Sequence, residues 1–203
     1  MSTELSPRER LLLTTETMLR ESGMAGTGIK EVVARSGSPI GSLYHYFPGG
    51  KTQLVVEALG RHAERFPRLA ARFLDGNKSA ATALRAWFDT AADEFESRGA
   101  DKGCAVGAVS LDVRATDHEI RRACEVAFDD WIATVADRLP LRTERDRRSF
   151  ATATVAAFEG AFVLARATKS GEPFRHAGRW LSLALVAQTT PKSERKPASR
   201  KRR

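Results

Sequence analysis

The sequence predicts an all-α fold, and three features carry that expectation. Helix start and stop residues recur about one helix length apart, apolar residues repeat three and four positions apart, and no stretch alternates apolar with polar residues as a half-buried strand does. With 203 residues, 42% of them hydrophobic, the chain can bury one large core or a small and a larger one. No apolar run approaches the roughly 20 residues that span a bilayer. The leucines at 11–13 are followed within a turn by threonine and glutamate and by no small-residue cleavage site. A cytoplasmic protein with no membrane partner is therefore expected.

The elements follow in chain order. Ser6 caps a first helix, with Pro7 at its first position, Glu9 closing a capping box, and Leu12, Met18 and Leu19 on its apolar side. Glycines between 23 and 28 break the chain before a short second helix over residues 29–35, with Ile29, Val32 and Val33 inward. Gly37 suits a left-handed stop, Ser38 an N-cap, and Pro39 the first turn of a third helix over 39–46. That three-residue turn between two short helices has helix-turn-helix spacing. Gly49 and Gly50 end the third helix, and a fourth is expected from about residue 51 to 65, broken or kinked by Pro67. Ser79 opens a fifth, with Leu84, Trp87, Phe88, Ala91 and Phe95 on one face. Residues 101–117 read as a short glycine-flanked helical segment. Thr116 with Glu119 predicts a capping box for a helix to Leu139, ended by Pro140. Thr143 caps a long helix to about Lys169, stopped by Gly171, and Pro173 starts a last one ending near Gln188.

Charge is uneven along this chain. Residues 190–203 hold seven Lys or Arg against Glu194, which leaves +2 of the net +8 for the rest. With Pro, Ser and no apolar anchor, this tail is expected to be disordered, adding nonspecific phosphate attraction or merely solubility. Cys104 and Cys124 have no His or Cys at ligand spacing, so neither a disulfide framework nor a metal site is expected. They are expected to be half-buried thiols acting as small hydrophobes, and no cofactor is implied. Catalysis is not expected: no Gly-rich phosphate loop, Ser-His-acid order or supported carboxylate pair occurs, and the four histidines are scattered.

The aromatic stretch after the short turn then has a use. In a helix-turn-helix the second helix enters the DNA major groove, and residues near its start reach base edges. Gly41 and Ser42 present almost no side chain, so the backbone can approach a duplex closely. Tyr44, His45 and Tyr46 offer donors where phosphates pass, while Leu43 and Phe47 point to the core. Residues 1–51 carry six Lys or Arg against five Glu, a balance that favours a positioned, site-specific binder over a nonspecific coat.

The segment TGIKEVVARSGSPIGSLYHYFPGGKTQL resembles the DNA-binding domain of TetR-type transcriptional regulators, and its combination with GCAVGAVSLD looks like the LmrA-like branch, whose members commonly control efflux or detoxification genes. The resemblance implies an N-terminal three-helix helix-turn-helix DNA-binding domain joined to a larger C-terminal helical ligand-binding and dimerisation domain. It also implies a homodimer that a small ligand releases from DNA. Carried over by position, Thr27, Gly28, Tyr44, His45 and Tyr46 would meet phosphates, and Lys51 the DNA backbone. Ser38, Pro39, Ile40, Gly41 and Ser42 would contact bases. Three positions depart from the family pattern: Ser38 and Pro39 replace a small hydrophobe and a hydroxyl, and Ile40 stands where a basic or polar residue is common. Sparse hydrogen-bonded readout, with apolar contact and DNA shape in its place, is the consequence. The loop FPGGKTQL is also one residue longer than the common spacing, which loosens the assignment of Lys51.

Two stripes mark the long late helix. Ala153, Ala157, Gly160, Ala161 and Leu164 form a small-residue side that another helix can approach; joined by Leu183, Ala184 and Ala187 of the last helix, it is expected to be the dimer surface. Val155, Phe158 and Phe162 lie nearly opposite. Trp87, Phe88, Phe95, Val109, Cys124, Phe128, Trp131, Phe158 and Phe162 are the candidates for an apolar cavity taking a flat or aromatic hydrophobic compound. Glu159, Asp112 and Asp130 are possible orienting groups. The expected division is residues 1–50 for DNA, 51–189 for ligand and dimer, and 190–203 as a disordered basic tail. The partners expected are a double-stranded DNA operator, a small-molecule effector and a second copy of the chain. The expected function is a ligand-responsive, site-specific transcriptional regulator, a repressor released from a pseudo-palindromic operator by a small hydrophobic or aromatic effector, and nucleoid-associated when bound. The alternative is a nonspecific DNA-binding protein driven by the basic tail.

Overall fold

The structure, a computed structural model, describes residues 5–76 and 79–190. Within them the chain forms α1 (Pro7–Ser22), α2 (Ile29–Ser36), α3 (Ile40–Tyr46), α4 (Gly50–Ala63), α5 (Arg65–Leu74), α6 (Ala80–Ser97), α7 (Ala105–Asp112), α8 (His118–Ala136), α9 (Glu144–Thr168) and α10 (Glu172–Thr189), with no strand. Nearly all of the basic tail lies outside the described residues.

Local chemistry sets most boundaries as the sequence indicates. Ser6, Ser79 and Thr143 accept hydrogen bonds from the backbone N–H groups of Glu9, Thr82 and Asp146, opening α1, α6 and α9. Gly37, at φ 61° and ψ 24°, makes the left-handed stop after α2. Four boundaries differ from expectation. Ser38 does not cap α3; its own N–H donates to Ser36 Oγ at 3.3 Å, and Pro39 takes the cap position. Thr116 does not cap α8, which starts after Asp117 and stops at Ala136, short of Leu139. Lys169, not a glycine, adopts the left-handed conformation that ends α9. The fourth helix ends at Ala63, and an unexpected helix, α5, follows it directly. Pro67 is the third residue of α5, where a backbone N–H has no intrahelical acceptor to lose.

Leu11, Leu19, Val32, Leu43 and Phe47 are fully or almost fully buried and join α1, α2 and α3 through one small core. In the larger part α6 lies along α10. A Cβ at Gly178 would sit 2.5 Å from Phe88 Cβ, so glycine is what permits this close approach. Among the described residues α9 alone is long and apolar enough, by length and composition, to cross a membrane; here it packs against α8 and α10.

Polar bonds join the two parts. Arg20 Nε donates to the Gly103 carbonyl at 3.0 Å and Gly103 N–H returns a bond to the Arg20 carbonyl at 3.0 Å. Asp112 accepts the Ala25 N–H at 2.9 Å, and Arg166 donates to the Glu21 carbonyl at 3.0 Å. The helix-turn-helix unit therefore rests on α7 and the turn before it, as well as on α4.

Candidate DNA-reading surface and ligand cavity

The turn from α2 to α3 exposes one short apolar and aromatic face. Leu43 and Phe47 are fully buried, which turns Ile40, Gly41, Tyr44 and His45 outward; Ile40 is 48% and Tyr44 55% exposed. Ile40 and Tyr44 stand one turn apart with Gly41 beside them. A Cβ at Gly41 would meet nothing within 4 Å, so no contact inside the chain requires glycine there. Gly28 and Pro39 are exposed, while Ser42, Tyr46 and Lys51 are half-buried. Tyr46 stands edge-on to His45, with ring centroids 4.8 Å apart.

Three expected contacts change in character. Thr27 is buried and its hydroxyl donates to the Gly23 carbonyl at 2.7 Å. Ser38 is buried as well, its Oγ lacking a partner among the described residues, so neither side chain reaches the surface. Lys51 donates to the Met24 carbonyl at 3.1 Å, which ties α4 to the loop before α2. Gly28 and Gly49 open α2 and α4 without a side-chain cap, leaving first-turn N–H groups on this side of the molecule.

A cavity of about 130 Å³ lies between α4, α5, α6, α8 and α9. Phe66 stacks on Trp131 at 4.5 Å, Trp87 on Phe158 at 5.2 Å, and Phe95 and Phe162 extend the aromatic wall. Of the residues expected to line it, Trp87, Phe95, Trp131, Phe158 and Phe162 do so. Phe88, Val109, Cys124 and Phe128 do not. Phe88 is buried behind Trp87 against Gly178, and Val109 is core on α7. Cys124 Sγ faces the Val106 carbonyl at 4.0 Å, and Phe128 stands edge-on to Trp131 away from the cavity. Wall residues outside the expected aromatic set include Phe66, His62, Cys104 and Glu159, the last of which the sequence marked only as a possible orienting group. Phe66 was hidden because it belongs to α5. The other three come together only through folding.

Their arrangement is specific. Ala105 N–H donates to His62 Nε2 at 3.4 Å, so Nε2 is an acceptor and Nδ1 carries the ring proton toward Glu16 Oε1 at 3.1 Å. Cys104 Sγ is 3.6 Å from the same Nε2 and also accepts the Gly107 N–H that caps α7. Both cysteines are buried, not half-buried. Burial pushes the Cys104 thiol up, and the neighbouring Glu159 carboxyl pushes it further. Glu16, on α1, is also bound by Arg65 at 2.7 Å. Burial raises its carboxyl, but the hydrogen bond from His62 and the Arg65 and Arg20 charges outweigh that and leave it below the usual range. Burial raises Glu159 to about 7. Asp112 and Asp130 lie away from this cavity, Asp130 on an open groove between α4, α5 and α8.

On the outer side of α9 and α10, Val163, Leu164, Trp180, Leu183 and Val186 are each about half exposed or more, Trp180 at 68%. Ala153, Gly160, Ala184 and Ala187 are exposed on these helices, with Ala157 half-buried. Ala161 is corrected: it is 3% exposed and belongs to the inner face of α9.

Comparison with known proteins agrees with this geometry. Residues 11–58 match the profile of the tetR family of bacterial regulatory proteins, and residues 80–180 that of the C-terminal domain of LmrA/YxaF-like transcriptional regulators. The HTH-type transcriptional regulator LmrA of Bacillus subtilis is 28% identical over 171 residues, spanning 83% of this chain and 91% of LmrA. An HTH-type transcriptional regulator of Mycobacterium tuberculosis is 32% identical over 197 residues, spanning 92% of this chain and 98% of its own. A solved structure of the TetR family regulator CifR, a cysteine mutant complexed with 26-base-pair operator DNA, superposes with a TM-score of 0.76 at 20% identity, over 91% of this chain and 99% of CifR. The chain belongs to the TetR family of DNA-binding transcriptional regulators, with a C-terminal domain of the LmrA/YxaF-like type.

Proposed function

We propose that this regulator is a repressor that binds a pseudo-palindromic operator as a homodimer and leaves it when a small hydrophobic or aromatic effector fills the cavity. Residues 1–50 read DNA, residues 51–189 hold the effector and the second copy, and the basic tail adds salt-sensitive attraction. The observation that carries the DNA-reading part is Gly41: with open space where its Cβ would be, its lack of a side chain serves an approach from outside the chain. Ile40, Gly41 and Tyr44 contact bases or their methyl groups, Pro39 and Ser42 flank them, and Tyr46, His45, Gly28 and Lys51 meet the backbone. Thr27 and Ser38 act from inside, by shaping the loop and the turn.

Dimerisation through α9 and α10 covers the exposed apolar face and sets two recognition helices on one two-fold axis, as a palindromic site requires. Coupling runs through His62 and Arg65. Both line the cavity and both hold Glu16 of α1, so a ligand that displaces either shifts the support of the reading head. A coupling of roughly 1–3 kcal/mol changes operator affinity about 5–150-fold.

The test is fluorescence anisotropy of the full chain on DNA from upstream of its own gene and on a shuffled duplex, at two salt concentrations, followed by an effector screen on any specific complex. Specific binding that persists at the higher salt and is released by a compound supports the proposal. By reciprocity, a compound that binds the protein but leaves operator affinity unchanged is not the inducer.

A further inference from the structure

The cavity wall contains one polar group that the chain leaves incompletely bonded. Glu159 Oε1 is buried and has no hydrogen-bond partner among the described residues. Cys104 lies beside the same carboxyl, and a side chain at residue 107 would collide with Glu159 Oε2, so Gly107 makes room for it. The cations on the wall are engaged elsewhere: Arg65 with Glu16 at 2.7 Å, Arg98 with Glu94 at 3.1 Å, Lys102 with Glu21 at 3.5 Å, and Arg20 with the Gly103 carbonyl at 3.0 Å. None of these bonds satisfies Oε1. A buried carboxyl oxygen without a donor is costly, and a partner brought by a ligand would remove that cost.

We propose that Glu159 is the polar anchor of the cavity, its Oε1 accepting a hydrogen bond from an N–H or O–H group on a neutral aromatic ligand. The aromatic wall takes the body of the ligand and Glu159 selects for the donor. Four cations against Glu94 and Glu159 on the wall disfavour a cationic ligand. This assignment rests on the reading of the cavity as the effector site.

Equilibrium dialysis of 2-naphthol and 2-methylnaphthalene against the full chain tests it, because the two probes differ by a hydroxyl in place of a methyl group. The affinity ratio of 2-naphthol to 2-methylnaphthalene is expected to be about tenfold higher in the wild type than in Glu159→Leu, equivalent to about 1.4 kcal/mol. Glu159→Gln, which keeps an acceptor oxygen, should hold the wild-type ratio. Glu159→Met serves the same comparison if the leucine variant does not fold. An unchanged ratio overturns the assignment of Glu159 while leaving the cavity as a ligand site; this is also the result if an ordered water alone satisfies Oε1. Failure of both probes to bind the wild type overturns the cavity reading and the anchor with it.

Discussion

Gly41 and Glu159 are opposite cases at the residue scale. At Gly41 the missing side chain has no use within the fold. Gly41→Ala should therefore gain up to about 1 kcal/mol of stability from helix propensity while losing operator affinity at least tenfold, a pairing that denaturation and anisotropy would measure together. At Glu159 the functional group is held at a cost. The unfolded chain releases this proton near 4.5 and the folded chain near 7, so between these values the folded state binds more protons and stability falls as pH rises. Glu159→Gln does not titrate. Its stability relative to the wild type should rise from pH 5 to pH 8 by up to about 3 kcal/mol, seen in urea unfolding at the two pH values; a constant difference would contradict a buried, raised carboxyl. The reading face of α3 was legible in the sequence because Leu43 and Phe47 fix which way Tyr44 and His45 point. Thr27 and Ser38 were not legible as buried, since their hydroxyls face the interior through loop geometry that has no periodic signature.

Elements were legible where a cap or a left-handed glycine marks their ends, as at Ser6, Gly37 and Thr143. They were missed where one residue type serves two ends: Pro67 reads equally as a helix stop and as a residue in the first turn of the next helix, and α5 was lost to that ambiguity. Its loss hid Phe66 and Arg65 from the cavity and from the link to α1. The Cys104–His62–Glu16 arrangement spans α7, α4 and α1, and separations of 42 and 46 residues carry no spacing signal. This arrangement supports the reading head directly. Glu16→Ala should cost roughly 1–3 kcal/mol, because it leaves the largely buried His62 Nδ1–H without its acceptor and takes the partner from the half-exposed Arg65. It should also reduce the effect of any inducer on operator affinity more than it reduces binding of the inducer itself. Because the Glu16 carboxyl is held below its usual range, its stabilisation is present above the unfolded carboxylate value and is lost as pH falls through the folded one.

For the whole molecule, the exposed apolar face of α9 and α10 is the surface proposed to join two copies. Trp180→Glu, at the most exposed large side chain of α10, should convert the proposed dimer to a monomer in sedimentation equilibrium and, with two half-sites no longer bound as a unit, weaken operator binding by several orders of magnitude. The small-residue stripe pointed to this surface from the sequence, although its period placed Ala161 outside when it packs inside. Trp180 carries no sequence signal of its exposure, since nothing in its spacing distinguishes an outward aromatic residue from one in the core. The central claim is that a two-fold pair of α3 helices reads a defined DNA sequence. Selection of bound duplexes from a random-sequence pool by the full chain, followed by sequencing, tests it most directly. An enriched motif with inverted half-sites, lost on Gly41→Ala, is the predicted result; a pool with no enriched motif, retained only at low salt, would contradict it.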